Sequence, residues 1–127
     1  MKEEKLTIEA LFSDSGPFDE DTVVRALLPY IVIQEPDHEI FFKEAKLSAK
    51  RRMLAYGLAK KLLKRNSLIA DERVTALELH QKTGIKKGTI DPMLKSLREE
   101  GLFAGKKEYE IPAYKIQEAV TMINEES

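Results

Sequence analysis

Residues 74–103 read VTALELHQKTGIKKGTIDPMLKSLREEGLF, and this stretch decides the fold. Thr75-Ala76-Leu77-Glu78 has the pattern of a capping box, in which the Thr hydroxyl and the Glu carboxylate each accept from the other residue's backbone amide. Gly84 tolerates the left-handed conformation that ends a helix, and Ile85 follows it as a buried plug. Apolar residues then recur at helical spacing: Ile90, Met93, Leu94 and Leu97. We predict two helices joined by a tight turn, and a helix-turn-helix commonly places its second helix in the DNA major groove. The alternative is an ordinary corner in a small α domain.

Pro92 limits where the second helix begins. Proline has no amide hydrogen, and its ring clashes with the carbonyl four residues back, so we expect it in the first turn. The helix should therefore start between Lys87 and Thr89, with Gly88-Thr89 as its capping corner, and end at Gly101-Leu102-Phe103.

A short β-hairpin is predicted directly after the second helix. Residues 102–104 and 108–111 pair around Gly105-Lys106-Lys107, and Tyr109 and Ile111 alternate with two glutamates. Pro112 cannot donate to a strand ladder, so the second strand stops there. A helix-turn-helix followed by such a hairpin is a winged helix, with two lysines at the tip of its wing.

Residues 88–102 resemble the recognition-helix signature of PadR-type winged-helix regulators. The resemblance rests on Gly88-Thr89-Ile90-Asp91-Pro92-Met93-Leu94, followed by Leu97 and Glu100-Gly101-Leu102. The family pattern is Gly-Thr-(Leu/Ile)-Tyr-Pro-x-Leu with a Glu-x-Gly-Leu ending, so this chain departs from it at Asp91, and its first forty residues do not match. The resemblance implies a helix in the DNA major groove and a dimer formed by a C-terminal helix.

Residues 1–43 are predicted to form an N-terminal extension. A short arm carries Leu6, Ile8, Leu11 and Phe12, and a helix over residues 23–28 follows an acidic cap, Asp19-Glu20-Asp21-Thr22. The β-rich runs 30–34 and 39–43 flank Glu35-Pro36-Asp37-His38, which suits a type I turn. We predict a β-hairpin that buries Ile31, Ile33, Ile40 and Phe42 on one face; one bent helix over residues 20–34 is the alternative.

Residues 44–127 are predicted to be the winged-helix domain, so the fold class is α+β and mainly α. Its first helix covers residues 47–65, is capped by Ser48 and has an apolar arc. The opposite, outward arc holds Lys50, Gly57, Lys60, Lys61 and Lys64. A last helix over residues 113–124 carries an apolar stripe, Ile116, Ala119, Val120 and Ile123. We expect this stripe to make a homodimer; the alternative is that it folds back on Leu58 and Leu62.

The charge of the chain is unevenly distributed. A length of 127 residues suits one domain, and the net charge is only −1. Residues 43–98, however, hold fifteen basic and five acidic side chains, whereas residues 1–42 hold three and ten and residues 99–127 three and seven. Local potential governs attraction to a polyanion, although charged runs often only solvate helix surfaces. The chain has no cysteine, no apolar run of membrane-spanning length and no apolar signal segment, so we expect a soluble, cytoplasmic protein.

No catalytic or metal-binding motif stands out. His38 and His80 are far apart in sequence, and neither begins a metal-ligand pattern. His38 should be a solvated turn residue, and His80 should pack and hydrogen-bond where the two helices meet. We therefore predict no enzymatic activity, no metal and no cofactor.

The predicted partner is double-stranded DNA. Lys86, Lys87 and Lys95 can contact phosphates or guanine, and Thr89 can donate to a phosphate. Asp91 can accept from a cytosine amine or pair with Lys87 or Lys95. Lys106 and Lys107 add charge at the wing tip. The predicted function is DNA binding in transcriptional regulation; the alternative is a winged helix used as a protein-interaction or assembly module.

Overall fold

The computed structural model describes residues 19–43 and 46–125, so the predicted arm around Leu6 and Phe12 lies outside the described residues. The described part is mainly helical and α+β. Its helices are α1 (Glu20–Leu27), α2 (Ala49–Arg65), α3 (Ala76–Thr83), α4 (Lys87–Glu99) and α5 (Ile116–Asn124), with a 3₁₀ turn at Ala113–Lys115. Two antiparallel hairpins are formed by β1 (Ile31–Gln34) with β2 (Glu39–Phe42), and by β3 (Ala104–Gly105) with β4 (Tyr109–Glu110).

The N-terminal helix and hairpin form as predicted, and the bent-helix alternative is wrong. Asp19 caps α1, where its carboxylate accepts from the Thr22 amide at 3.3 Å. In the hairpin, Ile31 lies opposite Phe42 and Ile33 opposite Ile40, and these four side chains face the core, whereas Val32 and Phe41 are exposed. The loop between the strands contains a cis peptide bond before Pro36 and a left-handed His38 (φ 58°), features that the sequence did not indicate.

Helix α2 is the centre of the molecule and packs against α1, α3 and α5. Ser48 caps it as predicted, and residues 53–59 are all buried. The placement of Gly57 on an outward arc is wrong. A Cβ atom built on Gly57 would lie 2.9 Å from Ile111 Cδ1 and 3.2 Å from Phe103 Cε1. The chain on either side of the second hairpin therefore packs directly on the backbone of α2.

The start of α3 and the turn between α3 and α4 agree largely with the prediction from sequence. The Thr75 hydroxyl accepts from the Glu78 amide at 3.1 Å, and Gly84 is left-handed at φ 77°. Only half of the capping box forms, because the Glu78 carboxylate accepts from Tyr56 and Lys60 on α2. Burial and this hydrogen bond raise the pKa of Tyr56 above its ordinary value. Glu78 therefore fastens α3 to α2 rather than closing its own cap.

Helix α4 begins at Lys87, within the predicted window, but its cap differs from the prediction. The N-cap residue is Lys86, whose side chain makes no capping hydrogen bond, so the predicted Gly88-Thr89 corner is wrong. Pro92 consequently lies in the second turn of the helix. The ring of Pro92 removes the hydrogen bond that residue 92 would donate to the Gly88 carbonyl. Ile90, Leu94 and Leu97 are the buried residues of this helix.

The second hairpin is shorter than predicted. Ala104 pairs with Glu110 and Gly105 with Tyr109, while Leu102 and Phe103 turn into the core instead of extending a strand. Gly105 has φ 128°, and a Cβ there would lie 2.0 Å from the Glu108 carbonyl oxygen. Tyr109 also bridges to Val74 through hydrogen bonds of 2.8 and 2.7 Å. This bridge fixes the hairpin to the start of α3.

Helix α5 folds back on its own chain, against α1 and α2. The stripe of Ile116, Ala119, Val120 and Ile123 is buried in the single chain, as the alternative prediction held. One hydrophobic cluster joins this stripe to residues of α1, the first hairpin and α2. The four residues are therefore not available as a dimer contact. None of the helices in the described ranges is long and apolar enough to cross a membrane.

Candidate nucleic-acid interface

The outer face of α4 is made of exposed residues at helical spacing. Helical geometry of about 100° per residue places Lys87, Gly88, Asp91, Pro92 and Lys95 on neighbouring positions of one side. All five are exposed, while Thr89 is half-buried at the edge of this face. The opposite side packs on the core, which fixes the orientation of the helix. The structure thus brings together the predicted contact residues of α4.

The basic residues of α2 are mostly paired with carboxylates. Lys50 pairs with Glu100 at 2.8 Å, Lys60 pairs with Glu78 at 2.8 Å, and Lys61 pairs with Glu72. The side chains of Lys60 and Lys61 are only 16% and 11% exposed. The prediction that these two lysines point outward is therefore wrong. These three pairs therefore neutralise part of the positive charge of residues 43–98.

The predicted contact lysines have a different environment. In α4 and the residue before it, Lys86, Lys87 and Lys95 are exposed, and so are Lys106 and Lys107 in the loop between β3 and β4. Among the ion pairs formed within residues 19–43 and 46–125, none includes any of these five side chains. Their charge remains available to an external anion. We call these five residues the unpaired lysines.

Asp91 is not paired with its neighbouring lysines. Its carboxylate is exposed on α4, one turn from Lys87 and one turn from Lys95. No ion pair to either lysine is present in the described part of the chain. Of the two roles predicted for Asp91, the intrahelical ion pair is therefore wrong.

The N-terminus of α4 adds to the positive potential of this face. The first backbone amides of a helix have no intrahelical partner, and their dipoles favour a nearby anion. Here no side chain caps them, while the Lys86 carbonyl accepts from the amides of Thr89 and Ile90 at 2.9 and 3.1 Å. The open amides lie beside Lys86 and Lys87, an arrangement suited to phosphate.

Charges at the base of the second hairpin are more balanced. Arg73 pairs with Asp71 at 2.9 Å and with Glu108 at 3.2 Å, and the Arg73 hydrogen bonds lower the pKa of Asp71 to about 2. A shallow, open depression runs past Arg73, Lys106, Lys107 and Glu108. Glu108 therefore pairs with Arg73 rather than with Lys106 or Lys107.

Both histidines contact neighbouring residues of their own turns. His80 Nδ1 lies 2.7 Å from the Ile85 carbonyl oxygen across the α3–α4 turn, so the prediction that His80 packs and hydrogen-bonds there is confirmed. His38 lies 3.5 Å from Glu35 in the first hairpin loop. Within the described ranges, no group of three or more His, Asp or Glu residues could hold a metal ion.

Two contacts that orient α3 could not be found by sequence reasoning. Arg52 of α2 donates to the Thr83 carbonyl at 2.8 Å and lies over the Phe42 ring at 5.4 Å. Lys82 of α3 pairs with Glu39 of β2. These contacts fasten the first hairpin and α2 to α3. No local pattern could have indicated them, because the partners are far apart along the chain.

Comparisons of the chain with profiles of known protein families, with curated proteins and with solved structures found no match. A function is therefore inferred from the geometry and charge of the site itself.

Proposed function

We propose that this protein is a winged-helix DNA-binding protein, that α4 enters the major groove of double-stranded DNA and that the β3–β4 loop acts as the wing. The proposed role is transcriptional regulation. The element order supports this proposal: α2, the Val74 bridge, α3, α4, β3 and β4 follow one another as in a winged helix. The local resemblance of residues 88–102 to PadR-type regulators is consistent with the same assignment.

The observation that carries the proposal is the sorting of positive charge. Three of the four lysines of α2 meet carboxylates within the fold, whereas the unpaired lysines are exposed on α4, before it and at the hairpin loop. If the lysines served only to keep helix surfaces hydrated, we would expect paired and unpaired lysines on every element alike. Exposed, unpaired cations at a helix N-terminus are the expected means of binding DNA phosphates.

A two-fold symmetric site would require two copies of the chain. Because the apolar stripe of α5 is buried within one chain, a homodimer through this helix would have to use its outer face. Tyr114, which precedes α5 and is 80% exposed, would be accessible to such a contact.

The first test measures binding to random-sequence duplex DNA at several salt concentrations, with parent protein and the double variant Lys87→Ala/Lys95→Ala. Removing one lysine–phosphate interaction should reduce the slope of log affinity against log salt by about one unit. We expect weaker binding and a slope reduced by about two units. Lys64→Ala is the matched control, since Lys64 is an exposed lysine of α2 and away from α4.

The control should bind like the parent. Equal affinity and salt slope for the parent and the double variant would remove α4 from the interface. A folded parent that binds no duplex at low salt would overturn the proposed function.

A protein-interaction module is the second candidate, and one observation favours it. Val32 and Phe41 lie directly opposite each other on the outer face of the first hairpin and are 43% and 42% exposed. Two adjoining apolar side chains on a sheet surface suit a protein contact. A parent that lacks salt-dependent DNA binding would favour this function.

A further inference from the structure

One acidic side chain, Asp91, lies among the lysines on the outer face of α4. Opposite charges four residues apart on a helix ordinarily attract each other. Lys87 and Lys95 are both placed for this, yet neither forms an ion pair with Asp91 in the described part of the chain. The carboxylate is exposed. It therefore remains available as a hydrogen-bond acceptor at the centre of a positively charged face.

One neighbour of Asp91 on this face, Gly88, has no side chain. Gly88 lies one turn before Pro92, and a Cβ built on Gly88 would meet no atom within 4 Å. The aspartate side chain is itself short. A group that contacts the Asp91 carboxylate must therefore approach the helix backbone closely. Base edges on the floor of the major groove can do so, whereas the phosphates at the rim would be repelled by the carboxylate.

The chemistry of the base edges selects one base. In the major groove, guanine presents N7 and O6 and thymine presents O4, and these acceptors repel a carboxylate. Adenine offers its N6 amino group, but the N7 acceptor lies beside it. Cytosine offers its N4 amino group as a donor, and its own ring presents no acceptor beside that group in the major groove. Cytosine is therefore the base that suits a lone carboxylate best.

We propose that Asp91 determines sequence specificity by accepting a hydrogen bond from the N4 amino group of a cytosine, with Lys87 and Lys95 binding on either side of it. This inference rests on the proposed DNA binding by α4 and adds the base that α4 reads. It assigns opposite roles to neighbouring residues. The lysines provide affinity for any duplex, and the carboxylate reduces that affinity while discriminating between sequences.

The test is selection of bound duplexes from a random library by the parent, Asp91→Ala and Asp91→Asn. The parent should enrich cytosine at one position of its site. Asp91→Ala should lose that preference by roughly 5- to 100-fold, the value of one good side-chain contact to a base. Asp91→Asn should shift the preference toward adenine, since an amide can pair with both N6 and N7.

Glu99→Ala is the matched control. Glu99 is an exposed carboxylate near the other end of α4, so its removal changes the net charge equally. Both alanine variants should bind non-specific DNA somewhat more tightly, but the control should keep the cytosine preference. Because both side chains are exposed, both variants should fold, which circular dichroism checks.

The outcomes separate the two proposals. If the parent selects the same bases as Asp91→Ala, or binds duplexes without any preference, the assignment of Asp91 is overturned while DNA binding stands. If the folded parent retains no duplex above background, both proposals are overturned.

Discussion

Two helical glycines, Gly57 of α2 and Gly88 of α4, have opposite surroundings. Alanine is favoured over glycine inside a helix by about 1 kcal/mol. At Gly57 the added methyl group would press on Ile111 and Phe103, and overpacking of a core costs about 1–3 kcal/mol. We therefore expect Gly57→Ala to lower the free energy of unfolding by up to about 2 kcal/mol in urea denaturation.

Gly88→Ala is the control for this substitution. It adds the same methyl group to a helix at a position with no neighbour within 4 Å. We expect it to raise the free energy of unfolding by as much as about 1 kcal/mol. A Gly57→Ala variant as stable as Gly88→Ala would show that the hairpin flanks do not pack tightly on α2.

Residues whose role is local could be predicted from sequence, and residues whose role depends on a distant partner could not. Thr75 and Gly84 act on their own backbone and immediate neighbours, so spacing alone indicated the cap and the left-handed turn. The prediction for Gly57 and Lys60 was wrong because a helical wheel assigns a helix one buried side and one exposed side, and it cannot show that other segments cover part of the second side. Their partners, Ile111 and Glu78, come from later segments that cover part of this side.

At the scale of elements, side-chain alternation predicted the first hairpin well. Ile31 and Ile40 fit only one register, since a shift by one residue would expose both. The second hairpin was predicted too long. Leu102 and Phe103 are apolar enough for a strand, but both are almost fully buried. The core competes for these side chains and leaves only Ala104 and Gly105 for pairing.

A substitution in α5 can test whether its apolar stripe is buried within the chain. Val120 is 1% exposed, so Val120→Glu would bury a carboxylate without a partner. We expect this variant to lose on the order of 3–5 kcal/mol of folding free energy, or to be unfolded. Gln117→Glu, on the exposed side of the same helix, should be nearly neutral. Urea denaturation of both variants measures the difference.

Sedimentation equilibrium measures, in addition, the oligomeric state of the Val120→Glu variant. If the stripe were a dimer contact instead, the variant would remain folded and only change from dimer to monomer. That result would contradict the intramolecular packing of α5.

At the scale of the whole molecule, one ion-pair cluster joins three parts of the chain. Lys61 of α2 pairs with Glu72 of the following loop and lies 3.9 Å from Glu110 of β4. A hydrogen bond with Glu72, together with burial, raises the pKa of Glu110. Burial opposes ionisation of Glu72, but its hydrogen bonds with Glu110 and Lys61 outweigh burial and lower its pKa. The two carboxyl groups therefore share one proton, which Glu110 holds more readily than Glu72.

This cluster makes stability depend on pH. Folding raises the pKa of Glu110, so the folded state binds that proton more tightly than the unfolded chain does. Its contribution is present below the unfolded value of about 4.3 and is lost as pH rises through the folded pKa. Glu110→Gln keeps a donor for Glu72 at every pH. We expect its unfolding free energy to fall less than that of the parent as pH rises from about 4.3 toward neutrality.

Urea denaturation at a series of pH values measures this effect, with Glu99→Gln as a control that removes an exposed carboxylate. The control should follow the parent. Parallel curves for the parent and Glu110→Gln would contradict a shared proton. Lys64 and Arg73 also act on these carboxylates, so both should be left unchanged in the comparison.

The hydrogen bond across the α3–α4 turn also fixes the tautomer of one imidazole. A carbonyl oxygen can only accept, so His80 Nδ1 must carry a hydrogen when it bonds the Ile85 oxygen at 2.7 Å. Neutral His80 therefore keeps its lone pair on Nε2, where the ring can accept a hydrogen bond. The corner that sets the direction of α4 is accordingly closed by a ring that donates inward from Nδ1 and presents an acceptor at Nε2.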